Sequence, residues 1–293
     1  MTNTTRKTMR SVPVEGGVLH AAVWAGPPDA PAMLALHGIT GNHAQFAYLA
    51  DELASDYCVV APDLRGRGAS ASIAGPFDMD THARDAVALL DALEIDRAVV
   101  VGHSMGCYVA TRLGWHAPER VERLVLVDGG IGTAPPPDFD IDAILQAVIG
   151  PAIERLSMTF PSVDEYRANW REHPALSADW TDVVQAAIDY EIAGEPPVLH
   201  SSVSREAVRL DAIDTLHPDT LLAIERTTCA IDLLVAERGM LDQETPVFVD
   251  AVVDNFRERL GSRMQVRRVT GVNHYTIALS ERGAKEIATA VRG

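Results

Sequence analysis

The pentapeptide Gly102-His103-Ser104-Met105-Gly106 constrains this chain more than any other stretch. It follows the unbroken apolar run Ala98-Val99-Val100-Val101 and precedes a stretch of helical character ending near Trp115. Gly-x-Ser-x-Gly between a buried strand and a helix describes a sharp turn that lifts a serine hydroxyl above a sheet. The flanking glycines let the backbone turn without a Cβ clash. A pentapeptide alone is a weak signal, so its context must carry the argument.

That context is a strand–helix alternation. Residues 11–25 read as a hairpin around Glu15-Gly16-Gly17. Short apolar strands follow at Met33–Leu36, Tyr57–Ala61, Ala98–Val101 and Leu124–Val127, with an amphipathic helix over Asp78–Leu93. Unbroken apolar strands alternating with helices mark a mostly parallel, doubly wound α/β sheet covered on both faces. From about Thr133 to Thr227 the rhythm changes. Apolar residues recur at helical spacing over 141–149, 183–192 and 203–213, and prolines, Pro151 among them, divide the segment into short helices. Strands resume at Ala230–Ala236 and Met264–Val269, with helices near 246–260 and over 281–291. The expected organisation is a core of residues 1–132 and 228–293 with a helical cap at 133–227, inserted after the strand at 124–127.

Composition narrows the classes of partner. With 25 Lys and Arg against 41 Asp and Glu, the net charge is −16, which argues against nucleic acid and anionic membranes. No run of about 18 apolar residues occurs, so no membrane-spanning helix is expected. The polar N-terminus lacks a signal-peptide core, and a cytoplasmic location is expected. Cys58, Cys107 and Cys229 are read as reduced and structural. No phosphate-binding glycine motif or metal-ligand spacing is present, so neither a cofactor nor a metal is expected. The partner implied is a small-molecule substrate, while oligomeric state is not legible.

A serine hydroxyl needs a base to take its proton as it attacks. His274 follows the last strand by a few residues, at the end of the sheet where the Ser104 turn belongs. His103 neighbours Ser104, but the turn is expected to aim it at the sheet, in a structural role. Together, His37-Gly38 at a strand end, the loop Asp63-Leu64-Arg65-Gly66-Arg67-Gly68, the Gly102–Gly106 turn and the late Gly271-Val272-Asn273-His274 resemble the α/β-hydrolase fold family. The likeness is to its serine-nucleophile, esterase- and lipase-like branch with a helical cap, and it covers nearly the whole chain.

The resemblance implies an ester or lactone hydrolase with Ser104 as nucleophile and His274 as base. The oxyanion would be held by the N–H groups of Met105 and Ile39. Asn273 and Tyr275 would position the histidine, and His37 would support its loop. Arg65 and Arg67 would be structural or lie at the rim. The acid is the open member. Family members often carry an aspartate just beyond the strand matching 230–236, where this chain has Gly239 and Met240. Others place it one strand earlier, which would be Asp128. Asp128 ranks first, Asp242 second and Glu237 third. Trp170 and Trp180 line a substrate cavity or fill the cap core. The same machinery serves carbon–carbon bond hydrolases, thioesterases, acyltransferases and cofactor-free perhydrolases, and some members of the fold are ligand receptors. Haloalkane dehalogenase and epoxide hydrolase chemistry is disfavoured, because those relatives carry an aspartate where Ser104 stands.

Overall fold

A computed structural model describes residues 7–135 and 140–293. In chain order the elements are β1 (Lys7–Val14), β2 (Gly17–Trp24), β3 (Ala32–Leu36), α1 (Ala47–Leu53), β4 (Cys58–Pro62), α2 (Met79–Ala92), β5 (Ala98–His103), α3 (Met105–His116) and β6 (Val121–Val127). A helical segment follows: α4 (Ile141–Arg155), α5 (Val163–Arg171), α6 (Asp182–Asp189), β7 (Ile192–Ala193), β8 (His200–Ser201), α7 (Arg205–Thr215) and α8 (Pro218–Arg226). The chain closes with β9 (Ala230–Arg238), α9 (Asp250–Leu260), β10 (Met264–Asn273), α10 (Thr276–Leu279) and α11 (Glu281–Arg292).

Eight strands form one sheet in the order β1-β2-β4-β3-β5-β6-β9-β10. The β1–β2 hairpin and its junction with β4 are antiparallel; all other pairings are parallel. Side chains alternate between faces along a strand, so an all-apolar strand must be covered twice. Leu34, Val100 and Leu126 pack with α2, α3 and α9 on one face. Met33, Val99 and Val127 pack with α1 and α11 on the other. Among the described residues, the helical segment between β6 and β9 adds no strand to this sheet; its β7–β8 pair stands apart from it. Pro151 does not end a helix as expected but lies inside α4. No helix among the described residues is long and apolar enough to cross a membrane.

The strand order reverses between β3 and β5. The chain leaves β3 outward to β4, then returns to place β5 on the other side, paired Leu36 to Gly102. The ends of those strands diverge at such a point and leave a crevice. The turn carrying Ser104 sits there, packed too tightly for any side chain at its glycines. A Cβ on Gly106 would lie 2.0 Å from the Leu36 carbonyl oxygen, and one on Gly102 would lie 2.4 Å from that of Gly106. Both obstacles are backbone. Gly106→Ala is therefore expected to destabilise the protein by about 3 kcal/mol or more, read from urea unfolding. An unchanged midpoint would contradict the close approach of α3 to β3.

Candidate active site

Ser104 is the N-cap of α3, with φ 53° and ψ −120°. Its N–H donates to the Val127 carbonyl at 3.0 Å, and its own carbonyl accepts from Cys107 N–H at 3.0 Å. The turn is thus fixed from both sides, and the hydroxyl projects into a cavity. His274 Nε2 lies 3.0 Å from Ser104 Oγ, and His274 Nδ1 lies 2.6 Å from Asp128 Oδ2. The structure brings these three side chains, 170 residues apart at the extreme, into one chain of hydrogen bonds.

Asp128 follows β6 with φ 50°. It is held by β9: its N–H donates to the Leu234 carbonyl at 2.8 Å and its Oδ1 accepts from Ala236 N–H at 3.1 Å. That leaves Oδ2 for the imidazole. Asp242 and Glu237, the other acid candidates, are placed elsewhere. Asp242 Oδ1 accepts from Asn273 Nδ2 at 2.8 Å and from Arg238 Nε at 2.7 Å. The Asn273 amide holds the Asp242 carboxyl below its ordinary value; burial opposes it and Arg238 adds to it. Glu237 accepts from Gly271 N–H at 2.6 Å and pins the bend in β10. Asn273 locks the His274 loop: its Oδ1 takes the N–H groups of Tyr275 and Thr276, at 3.0 and 2.9 Å.

Ile39 and Gly38 border the same cavity as Ser104, and a Cβ on Gly38 would lie 3.3 Å from Ser104 Cβ. Met105 opens α3, where the first N–H groups of a helix lack intrahelical acceptors. His37 braces this loop, its Nδ1–H donating to the Gly38 carbonyl at 2.7 Å while Nε2 accepts from Leu64 N–H at 2.9 Å. Arg65 and Arg67 do not lie at a rim; both are fully buried. Arg65 makes a two-pronged pair with Asp85, both contacts at 2.8 Å. Arg67 reaches the Ile39 carbonyl at 2.8 Å and Asp211 of α7 at 2.5 Å.

His103 does not turn away from the site. It lines the cavity, with its ring centroid 5.0 Å from that of His274. Nε2–H donates to the His274 carbonyl at 2.8 Å, and Nδ1 accepts from Gln45 Nε2 at 3.2 Å. Burial, reinforced by His274 and His37, pulls its pKa down to about 3, and burial does the same to His37. Both rings therefore stay neutral. The cavity holds about 80 Å³, and its wall is mainly apolar, with Leu176, Val184 and Ile188 among its residues. Trp170 lines it, whereas Trp180 does not: it packs at the edge of a helical-segment cluster under the Arg171 guanidinium, 4.9 Å from its ring. Sequence reasoning missed Glu191, which also lines the cavity. The sequence gives it no distinct signal, since Asp189 stands two residues before it in the same stretch. A wider groove of about 690 Å³ adjoins, sharing Met240 and Tyr275 with the cavity wall. Among the described residues, no cluster of three metal-ligating side chains occurs.

Residues 31–150 match the family model for the alpha/beta hydrolase fold. Lipase LipV of Mycobacterium tuberculosis is 30% identical over 264 residues, covering 81% of this chain and 96% of that protein. An uncharacterised protein of the same organism is 33% identical over 139 residues; that match covers 45% of this chain and spans only 39% of the relative's length. The crystal structure of E-2-(acetamidomethylene)succinate hydrolase superposes with a TM-score of 0.81 at 22% identity, covering 98% of this chain and all of that one. The chain belongs to the α/β-hydrolase fold family.

The neutral buried histidines make stability depend on pH. Unfolded, each ring takes a proton near its ordinary 6.5; folded, it resists protonation down to about 3. Between these values the unfolded state binds more protons, so falling pH favours unfolding. The loss per ring should reach about 2 kcal/mol by pH 5. His103→Gln is expected to lose about that much less than the parent between pH 6.5 and 5, measured by urea unfolding. Identical losses in both proteins would refute the neutral ring.

Proposed function

We propose that this protein is a serine hydrolase that cleaves a carboxylic ester or lactone of a small to medium hydrophobic substrate. The observation that carries the reading is the continuous contact Ser104 Oγ–His274 Nε2–His274 Nδ1–Asp128 Oδ2 at a cavity wall. The carboxylate accepts Nδ1–H, which leaves the Nε2 lone pair free to accept the serine proton. Ser104 Oγ attacks the substrate carbonyl as its proton passes to His274. The Met105 and Ile39 N–H groups then face the developing oxyanion, where fixed donors act without reorganising. His274 Nε2–H protonates the leaving alcohol, and the acyl group remains on Ser104. Water, deprotonated by His274, attacks the acyl carbon and releases the acid. The helices α4–α8 serve as the cap that closes the site. The mainly apolar wall and small volume of the cavity favour a short hydrophobic acyl group. The likeness to lipase LipV is in keeping with ester chemistry.

Two measurements test this. A fluorophosphonate probe is expected to label Ser104 in the folded protein, and Asp128→Asn is expected to lower kcat on an aryl ester about ten-thousandfold with the fold intact. Full activity in Asp128→Asn would remove Asp128 from the reaction. An unlabelled serine beside a labelled control esterase would remove the mechanism.

A further inference from the structure

One charged group in the cavity has no part in the chemistry above. Glu191, between α6 and β7, is 3% exposed and lines the cavity that Ser104 borders. Its Oε1 is saturated. Arg155 Nη1 and Trp170 Nε1 donate to it, each at 3.3 Å, and so does the Tyr166 hydroxyl. Oε2 receives no hydrogen bond from any described residue. Nor is it sealed away: the side-chain polar atoms both sealed and unpartnered among the described residues are His82 Nδ1, Arg112 Nη1 and Ser202 Oγ. Oε2 is therefore not sealed inside the protein, and Glu191 is part of the cavity lining.

Solvent serves such an oxygen while the cavity is open, and a substrate that displaces the solvent must supply a donor or leave the oxygen unpaired. Leu176, Val184 and Ile188, which share the cavity wall, carry no side-chain donor. The charge of Glu191 is already answered by Arg155, whose guanidinium lies 3.8 Å over the Trp170 ring and is fixed there. With the charge so paired, Oε2 suits a neutral donor rather than a cation. Burial pushes the Glu191 carboxyl up, and Arg155, Tyr166 and Trp170 oppose it.

The geometry points to Glu191 as a specificity-determining residue: Oε2 accepts a hydrogen bond from a hydroxyl or amide N–H carried on the acyl part of the substrate. This rests on the serine-hydrolase reading. The acyl part is the one concerned because the cavity is small, while the adjoining groove gives a bulkier leaving group its room. A site built around an acceptor rejects the apolar isostere, which leaves that acceptor unpaired.

The test is a pair of rate ratios on p-nitrophenyl esters. The 3-hydroxybutyrate is compared with the 3-methylbutyrate, and the 6-hydroxyhexanoate with the heptanoate, so that a hydroxyl replaces a methyl at two distances from the carbonyl. The intact protein is expected to favour the hydroxyl member in kcat/KM by about tenfold or more in at least one pair. In Glu191→Leu that ratio should fall to one or below. Should Glu191→Leu not fold with Arg155 left unpaired, the double variant Glu191→Leu/Arg155→Met keeps the charge balanced and carries the same expectation. Ratios near one in the unmodified protein, with Ser104 labelled by a fluorophosphonate, overturn the role of Glu191 alone. An unlabelled Ser104 with no ester cleaved overturns the hydrolase reading, and this inference with it.

Discussion

A serine held at φ 53° lies where a non-glycine residue sits at a cost of about 1–3 kcal/mol. The rest of the site depends on that turn being imposed. Two backbone hydrogen bonds fix it, from Ser104 to Val127 and from Cys107 to Ser104. Beneath it, α3 approaches β3 so closely that only hydrogen fits at Gly106. One constraint has several consequences. It lifts Oγ to His274, aims the start of α3 at the same point, and brings Gly38 beside Ser104. The parallel strands β3, β5 and β6 supply the rigidity, since their side chains are buried on both faces.

A second constraint is polar and lies behind the Ile39 loop. Arg67 joins the Ile39 carbonyl to Asp211, and Asp211 also pairs with His82 at 3.0 Å. Burial alone would raise the Asp211 carboxyl; His82 and Arg67 together bring it below its ordinary value. Buried pairs of this kind contribute little net stability, because desolvation offsets attraction. Their effect here is positional. The network ties α7 to the loop that borders the Ser104 cavity. Tyr190, which donates to Asp63 at 2.7 Å, makes a parallel tie from the end of α6.

The sheet was legible in the sequence because each central strand is an apolar run too short for a helix and flanked by turn residues. The places of Ser104 and His274 were legible because chain order and strand ends determine them. Which carboxylate meets His274 was not. Asp128 and Asp242 both follow strands that run toward the site, and both adopt positive φ, at 50° and 63°. What separates them is tertiary: β9 donates Ala236 N–H to Asp128, whereas Asn273 and Arg238 occupy Asp242. No local pattern encodes those partners. Glu191 was illegible for the same reason, since Arg155, Tyr166 and Trp170 come to it from α4 and α5. The placement of His103 in the cavity wall was not legible either, because its partners, Gln45 and the His274 carbonyl, lie far along the chain.

The position of Asp128 has a consequence for the loop after β9. With the imidazole met from β6, that loop need not supply a carboxylate to His274. Asp242 instead binds Asn273, whose amide also donates to the Ala175 carbonyl at 2.9 Å. One asparagine thereby joins the β9 loop, the His274 loop and the helical segment. Met240, two residues before Asp242, then stands with Tyr275 in the wall common to the small cavity and the wide groove. Methionine is unbranched and adapts its shape at low cost. The wall common to the two spaces therefore includes a pliable side chain on a loop anchored at Asp242.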